Sequence, residues 1–285
     1  MGTPTPPATP KSLTGLIEDR YQDGQSSDFP NQPVPPALST ILKHRSIRSF
    51  LPTPLPLGTV QTLIAAGQSA STFSMLQTWS VVAIQDPQHK DTVARISGNQ
   101  DLIRQAPLFL IFCADLHRLA NVIDKYRTAG KPLEKLDMVL AGVVDASIAA
   151  ENVAIAAEAL GLGICMVGGV RNNAEDLVKL LHLPERTFGV VGLAVGYADP
   201  AEHEDIKPRL PMREVLHYEI WNCNQQQRDE NIAVFDGVLS KHYTLHSMVG
   251  RKPWSKFAAE WNADGRMDGR DRIRDLLERQ GFGLG

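Results

Sequence analysis

Bulky apolar residues are scarce over the first 36 positions, where Pro recurs at 4, 6, 7, 10, 30, 33, 35 and 36 among Thr, Ser, Gln and Gly. Such a stretch buries too little surface to offset the entropy of ordering it. Residues 1–37 therefore read as a disordered Pro-rich extension with one short helix over 14–21, serving as a linker or as a Pro-rich ligand for another protein. The pattern changes at Leu38, where Ser39 or Thr40 is placed to cap a short helix. A helix over 58–70 puts Val60, Leu63 and Ile64 on one side, and a strand follows over 79–84. After a polar helix over 88–97, the run 107–113 is apolar at every position, which predicts a central strand buried on both faces. An amphipathic helix over 116–127 precedes the Ala-rich tract 138–160, apolar nearly all round, which a helix tolerates only when surrounded by protein. Strands are predicted over 164–167 and 188–196, with a helix between them capped by Asn172 or Asn173. Helices over 226–243, 254–261 and 272–280 complete the chain. No repeat and no linker-like shift follows residue 37, so 38–285 reads as one domain.

Composition narrows the partners. A net charge of −3 over 285 residues gives no bulk field for nucleic acid or an anionic membrane. The tract 138–160 is long enough to cross a bilayer, yet Asp145, Glu151 and Glu158 interrupt it, which favours a buried helix of a soluble protein. Cys113, Cys165 and Cys223 are odd in number and widely spaced, as free thiols in a reducing compartment would be. With no apolar stretch behind a basic start near Met1, the expected location is cytoplasmic.

Four stretches carry candidate chemistry. His44-Arg45-Ser46-Ile47-Arg48 packs three basic side chains and a hydroxyl into five residues. If helical, it would bring His44 and Arg48 together on one side, a donor set suited to a phosphate monoester; a solvated basic surface is the alternative. Asp205-Ile206-Lys207-Pro208-Arg209 repeats that choice, with Pro208 stiffening the chain between two cations. The hydroxyl-rich run 69–77 leads directly into a predicted strand, where ligand-contacting loops tend to lie. Gly168-Gly169 ends another strand and would let a flat ligand approach the backbone. Gly161 and Gly163 precede their strand, which is the wrong side for a dinucleotide fingerprint. Basic residues Arg251, Lys252, Arg266 and Arg270 lie among the C-terminal helices.

Taken in order, His-Arg-Ser-Ile-Arg at 44–48, Ser-Met-Leu-Gln at 74–77, Gly-Asn-Gln at 98–100, the helix containing 143–152, Val-Gly-Gly-Val-Arg-Asn-Asn at 167–173 and Asp-Ile-Lys-Pro-Arg-Leu-Pro at 205–211 resemble the flavin-dependent nitroreductase superfamily. Within it they are most similar to the NADPH-dependent group of oxygen-insensitive nitroreductases and luciferase-linked flavin reductases. The resemblance implies an α+β, three-layer α-β-α fold with a mostly antiparallel sheet, in an intertwined homodimer whose spine is the helix over 138–160. It implies FMN as cofactor and NADPH as hydride donor, with NADH a second candidate donor. His44, Arg45, Ser46, Lys207 and Arg209 would then hold the phosphate, and Arg48 would reach the pyrimidine end of the ring. Ser71, Thr72 and Ser74 would line its edge, Gln100 would hydrogen-bond it, and the backbone at Val167, Gly168 and Gly169 would approach the reactive nitrogen. Phe73, Ser74 and Met75 would border the acceptor pocket, with Phe73 standing where the resembling group has another serine. Arg251, Lys252 and Arg270 would receive the NADPH 2′-phosphate, although the loop 246–252 is short and places its charges late. Ping-pong reduction of nitroaromatics, quinones or related acceptors is the implied activity. A flavin reductase feeding a monooxygenase, or a non-catalytic flavin-binding interaction protein, are the alternatives.

Overall fold

The computed structural model describes residues 11–24, 32–202, 205–263, 265 and 267–285; the prolines at 4, 6, 7, 10 and 30, and Arg266, lie outside the described residues. In chain order the elements are α1 (Leu13–Tyr21), α2 (Pro36–Leu42), α3 (Thr59–Gln68), β1 (Trp79–Ile84), α4 (Pro87–Ile96), α5 (Asp101–Gln105), β2 (Leu108–Asp115), α6 (His117–Tyr126), α7 (Leu136–Ala159), β3 (Gly163–Val167), α8 (Ala174–Leu180), β4 (Thr187–Gly196), α9 (Met212–Val215), α10 (Gln225–Leu245), α11 (Trp254–Ala263) and α12 (Ile273–Arg279). They pack as two compact units, a helical one from Met1–Arg45 with Asp205–Arg266, and a sheet-bearing one from Ser46–Glu204 with Met267–Gly285.

In the sheet-bearing unit the strand order is β1-β2-β4-β3, with every neighbouring pair antiparallel. Every residue of β2 is buried, as its unbroken apolar run predicts. Because side chains alternate along a strand, Leu108, Leu110, Phe112 and Ala114 join Leu63 of α3 and Ala146, Ala149, Ala150 and Val153 of α7 in one core. Phe109, Ile111 and Cys113 join Val93 of α4, Ile103 of α5 and Leu177 of α8 in a second core on the other face. Each buried Leu, Ile or Phe contributes about 1.5–3 kcal/mol, so the sheet is clamped from both sides into the expected α-β-α layering. Residue 145 is the one charged position on the buried side of α7. The opposite side carries Leu136, Leu140, Val144 and Ile148, four residues apart and partly open to solvent.

Three local expectations differ from the structure. The helix before the basic cluster stops at Leu42 and 44–49 are not helical, so the helical spacing that would pair His44 with Arg48 does not arise. Competition for the backbone explains this: Ser46 bridges Ile164, Ile47 N–H donates to the Ile164 carbonyl at 2.8 Å, and the buried Ile47 side chain lies over Gly163. A Cβ on Gly163 would sit 2.8 Å from Ile47 Cγ1, which gives that glycine a packing role. Secondly, Ser39 and Thr40 do not cap α2, because Pro36 occupies its first turn and starts the helix earlier. Thirdly, Asn173 precedes α8 without capping it; its Nδ2 donates to the Ile96 carbonyl at 3.0 Å.

The helical unit includes part of the stretch read as a flexible extension. Ser12 Oγ accepts from Gly15 N–H at 3.2 Å to start α1, and Leu13 and Leu16 are buried. Alternation of Leu13, Leu16 and Arg20 at helical spacing is what gives α1 a packing side. In α10, Phe235, Leu239 and His242 are buried, and Asn231 Nδ2 donates to Glu214 Oε2 at 3.0 Å while Arg228 pairs with Glu214 Oε1 at 3.0 Å.

Candidate functional site

In the sheet-bearing unit the hydroxyl-rich loop before β1 is built on Asp145. Its Oδ2 accepts from Thr72 Oγ1 at 2.6 Å, Thr78 Oγ1 at 2.8 Å and Thr78 N–H at 3.0 Å, while its Oδ1 accepts from Phe73 N–H at 2.8 Å. Burial alone would raise its pKa, but these donors outweigh burial and hold the carboxyl below its ordinary value. Thr72 Oγ1 in turn accepts from Gln77 N–H at 2.9 Å, closing the loop on itself. The hairpin-like path needs left-handed backbone at three non-glycine residues, Ser74 (φ 46°), Met75 (φ 59°) and Gln77 (φ 51°). Ser71, Ser74, Phe73 and Met75 consequently face outward, Phe73 44% and Met75 76% exposed. A groove of about 370 Å³ runs from Ser71, Thr72 and Phe73 along Leu140, Val144 and Ile148. Sequence reading missed Asp145 as a site-shaping residue, although a lone acid in the middle of an apolar helix was the available signal.

The second feature of this unit joins Gln100 to the glycine pair. Gln100 Nε2 donates to the Ser97 carbonyl at 2.7 Å, and both groups lie against Gly169, where a Cβ would meet Ser97 O at 2.4 Å and Gln100 Nε2 at 2.5 Å. Gly168 is different: its Cβ would meet Arg171 Nη2 at 3.5 Å, an ordinary contact. Arg171 itself donates to the Val190 carbonyl, and burial, with nearby Arg270 adding, pushes its pKa down. Ser46 is half-buried and Arg48 exposed, with Arg48 Nη1 3.5 Å from the Ser46 carbonyl.

The helical unit brings the other two basic elements together through a residue that sequence reading did not single out. Arg20 Nη2 donates to the Leu42 carbonyl at 3.0 Å and the His44 carbonyl at 2.7 Å, and Arg20 Nη1 donates to the Lys207 carbonyl at 3.3 Å. Arg209 N–H returns a bond to the Arg20 carbonyl at 3.0 Å, and Arg209 Nη1 donates to the Lys207 carbonyl at 3.0 Å. Arg45 and Arg209 are exposed. Behind this loop, burial and the neighbouring His246 hold the His242 pKa below its ordinary value, with Asp205 opposing and Lys207 reinforcing the shift. Nothing in the sequence pattern distinguished Arg20, which lies within the stretch read as an extension.

The three residues expected at the NADPH phosphate do not share a unit. Arg251 and Lys252 are exposed in the helical unit, where Lys252 pairs with Glu260. Arg270 belongs to the sheet-bearing unit, 3.4 Å from Asp268 Oδ2.

Comparison with known proteins adds the following. The Nitroreductase family model matches residues 41–197, and the model of the family's C-terminal domain matches 207–285. The chain is 37% identical over 247 residues to an FMN reductase (NADPH) of Bacillus subtilis, covering 86% of this chain and 97% of the relative. It is 34% identical over 245 residues to an NADPH-flavin oxidoreductase of Vibrio harveyi, covering 86% of this chain and 97% of that protein. The solved structure of NfrA1 from B. megaterium superposes with a TM-score of 0.82 at 33% identity, over 87% of this chain and 99% of that one.

Proposed function

This chain belongs to the nitroreductase family, and from that premise we propose that it is an FMN-dependent oxidoreductase that takes hydride from NADPH and passes it to a nitroaromatic, a quinone or a related electron-poor acceptor. The observation that carries the cofactor assignment is the joining of the His44 and Lys207 segments on the Arg20 guanidinium, which puts two basic elements far apart in sequence beside one another. That donor set fits a dianionic phosphate monoester. In the helical unit, His44, Arg45, Lys207 and Arg209 would hold the phosphate. In the sheet-bearing unit, Ser46, Ser71, Thr72, Ser74, Gln100 and the Val167–Gly168–Gly169 backbone are the ring-holding set, and the exposed Arg48 would stabilise negative charge at the pyrimidine end. Bound FMN would supply the hydride chemistry, leaving the protein to bind, orient and tune. Phe73 and Met75 would offer an apolar surface to a flat acceptor, and Arg251, Lys252 or Arg270 a cation to the NADPH phosphate.

The test is anaerobic stopped-flow of FMN-loaded protein. NADPH should bleach the flavin absorbance faster than NADH does, and a nitroaromatic or quinone should restore it. Protein that keeps no FMN after reconstitution, or flavin untouched by either nucleotide, would sink the reading. The double variant Lys207→Ala/Arg209→Ala is expected to weaken FMN binding by about 100-fold, since two charge-assisted bonds are lost. A second reading is favoured by the relatives' names: a reductase releasing reduced flavin to a partner enzyme. Faster turnover of free FMN than of nitrofurans and quinones would select it.

We also assign a second copy of this chain to the exposed stripe of Leu136, Leu140, Val144 and Ile148, because unbroken apolar spacing along a helix is costly to leave in water. Sedimentation equilibrium should report a dimer, and Val144→Glu should shift it toward monomer; a monomeric wild-type protein at micromolar concentration would remove the assignment. Cytoplasmic residence accompanies this reading, since the exposed Cys223 thiol suits a reducing compartment.

A further inference from the structure

Arg20 lies outside both segments matched by the family models, in a helix that precedes them. We propose that Arg20 is a positioning residue for the FMN phosphate, locking two distant basic segments into one anion-binding surface; this rests on the cofactor reading above. Four basic side chains, those of His44, Arg45, Lys207 and Arg209, repel one another when gathered to meet a single anion. Something must hold their backbones together before the phosphate arrives. The guanidinium does so by taking carbonyls from both segments, Leu42 and His44 on Nη2 and Lys207 on Nη1. The backbone reciprocates, with Arg209 N–H donating to the Arg20 carbonyl at 3.0 Å. Next to it, Gln22 Nε2 reaches the Ile206 carbonyl at 3.4 Å.

Two physical effects follow. Carbonyl oxygens are the negative ends of the peptide dipoles, and those of Leu42 and His44 are directed at Arg20, which removes these two as competitors for the cations that an anion needs; the Lys207 carbonyl is shared between Arg20 and Arg209 Nη1. The segments are also ordered in advance, so binding loses less conformational entropy. Arg suits the task because its planar fork serves several acceptors at fixed angles, where a Lys ammonium is a single point. Helix α1 is itself anchored, with Leu13 and Leu16 buried and Ser12 capping its first turn.

The experiment titrates full-length apoprotein with FMN and, separately, with riboflavin, which has the same ring and no phosphate, reading flavin fluorescence. Arg20→Ala is expected to weaken FMN about tenfold while riboflavin stays within about twofold of wild type. Arg20→Lys is expected to lose about threefold for FMN alone. Equal loss of both ligands in either variant, or no loss of FMN, overturns the proposal. Should Arg20→Ala not fold, Arg20→Lys decides by the same comparison. The Lys207→Ala/Arg209→Ala variant separates the two layers of inference. If it binds FMN as wild type does, the phosphate assignment falls and takes the Arg20 role with it; if it loses FMN while Arg20→Ala does not, only the Arg20 role falls.

Discussion

Replacing Asp145 by Ala is expected to destabilise the sheet-bearing unit by about 3–5 kcal/mol and to release the 71–77 loop. The carboxylate accepts four hydrogen bonds, two from hydroxyls that can turn elsewhere and two from the N–H groups of Phe73 and Thr78, which cannot. Thr78 is fully buried, so its N–H would be left without a partner or water. The loop also stores strain, because Ser74, Met75 and Gln77 all hold positive φ, at about 1–2 kcal/mol each. Once the anchor is gone, that strain favours opening. Asp145→Asn is expected to lose about 2 kcal/mol, since its NH₂ must face one of the donors the carboxylate now accepts from. Urea midpoints give the stability, and hydrogen exchange at Phe73 and Thr78 gives the loop. The pH dependence has a definite sign. Asp145 has a folded-state pKa below its ordinary 3.8, so its contribution is complete above that value and lost as pH falls through the lower folded pKa. The gap between wild type and Asp145→Asn should therefore narrow in acid. If Asp145→Asn matched wild type in both stability and exchange at neutral pH, the anchor would not be what orders the loop.

The same residue marks how far the sequence was legible. Periodicity located all four strands and the long helix to within two residues, because β2 and α7 are apolar in patterns that only a covered strand and a covered helix allow. The order of small motifs carried the family. What stayed hidden were relations between residues distant in sequence. Asp145 was visible as an acid in an apolar helix, yet its partners 67 to 73 positions earlier are ordinary Thr and Phe residues of a polar loop. Arg20 was hidden more deeply: a short helix over 14–21 was expected, but the Pro-rich composition around it argues against the ordered packing that Leu13 and Leu16 give α1. At 44–48, where a helix was only a conditional expectation, the path is set by a long-range backbone bond, Ile47 to Ile164, that no local pattern announces.

Gly168 and Gly169 look equivalent in sequence, and substituting each by Ala is expected to separate two kinds of glycine. Gly169→Ala puts a methyl 2.4 Å from the Ser97 carbonyl oxygen and 2.5 Å from Gln100 Nε2. The Gln100 side chain can rotate away, but it would abandon its bond to Ser97 O, and the Ser97 carbonyl belongs to backbone that cannot move without its neighbours. Overpacking of this kind costs about 2–3 kcal/mol. Gly168→Ala meets only the end of Arg171 at 3.5 Å, and its methyl also restricts the unfolded chain, so stability should change by no more than about 0.5 kcal/mol. The functional result should run the other way. Gly169 already has its open side filled by the protein, whereas Gly168 is where a flat ring approaching the end of β3 would meet an added methyl. Gly168→Ala is therefore expected to fold like wild type and to bind both FMN and riboflavin about tenfold more weakly. Thermal melting and flavin titration on the two variants decide the matter: a Gly168→Ala protein with wild-type flavin affinity would take the ring away from this strand end, and a Gly169→Ala protein with wild-type stability would show that Ser97 and Gln100 yield more easily than their packing implies.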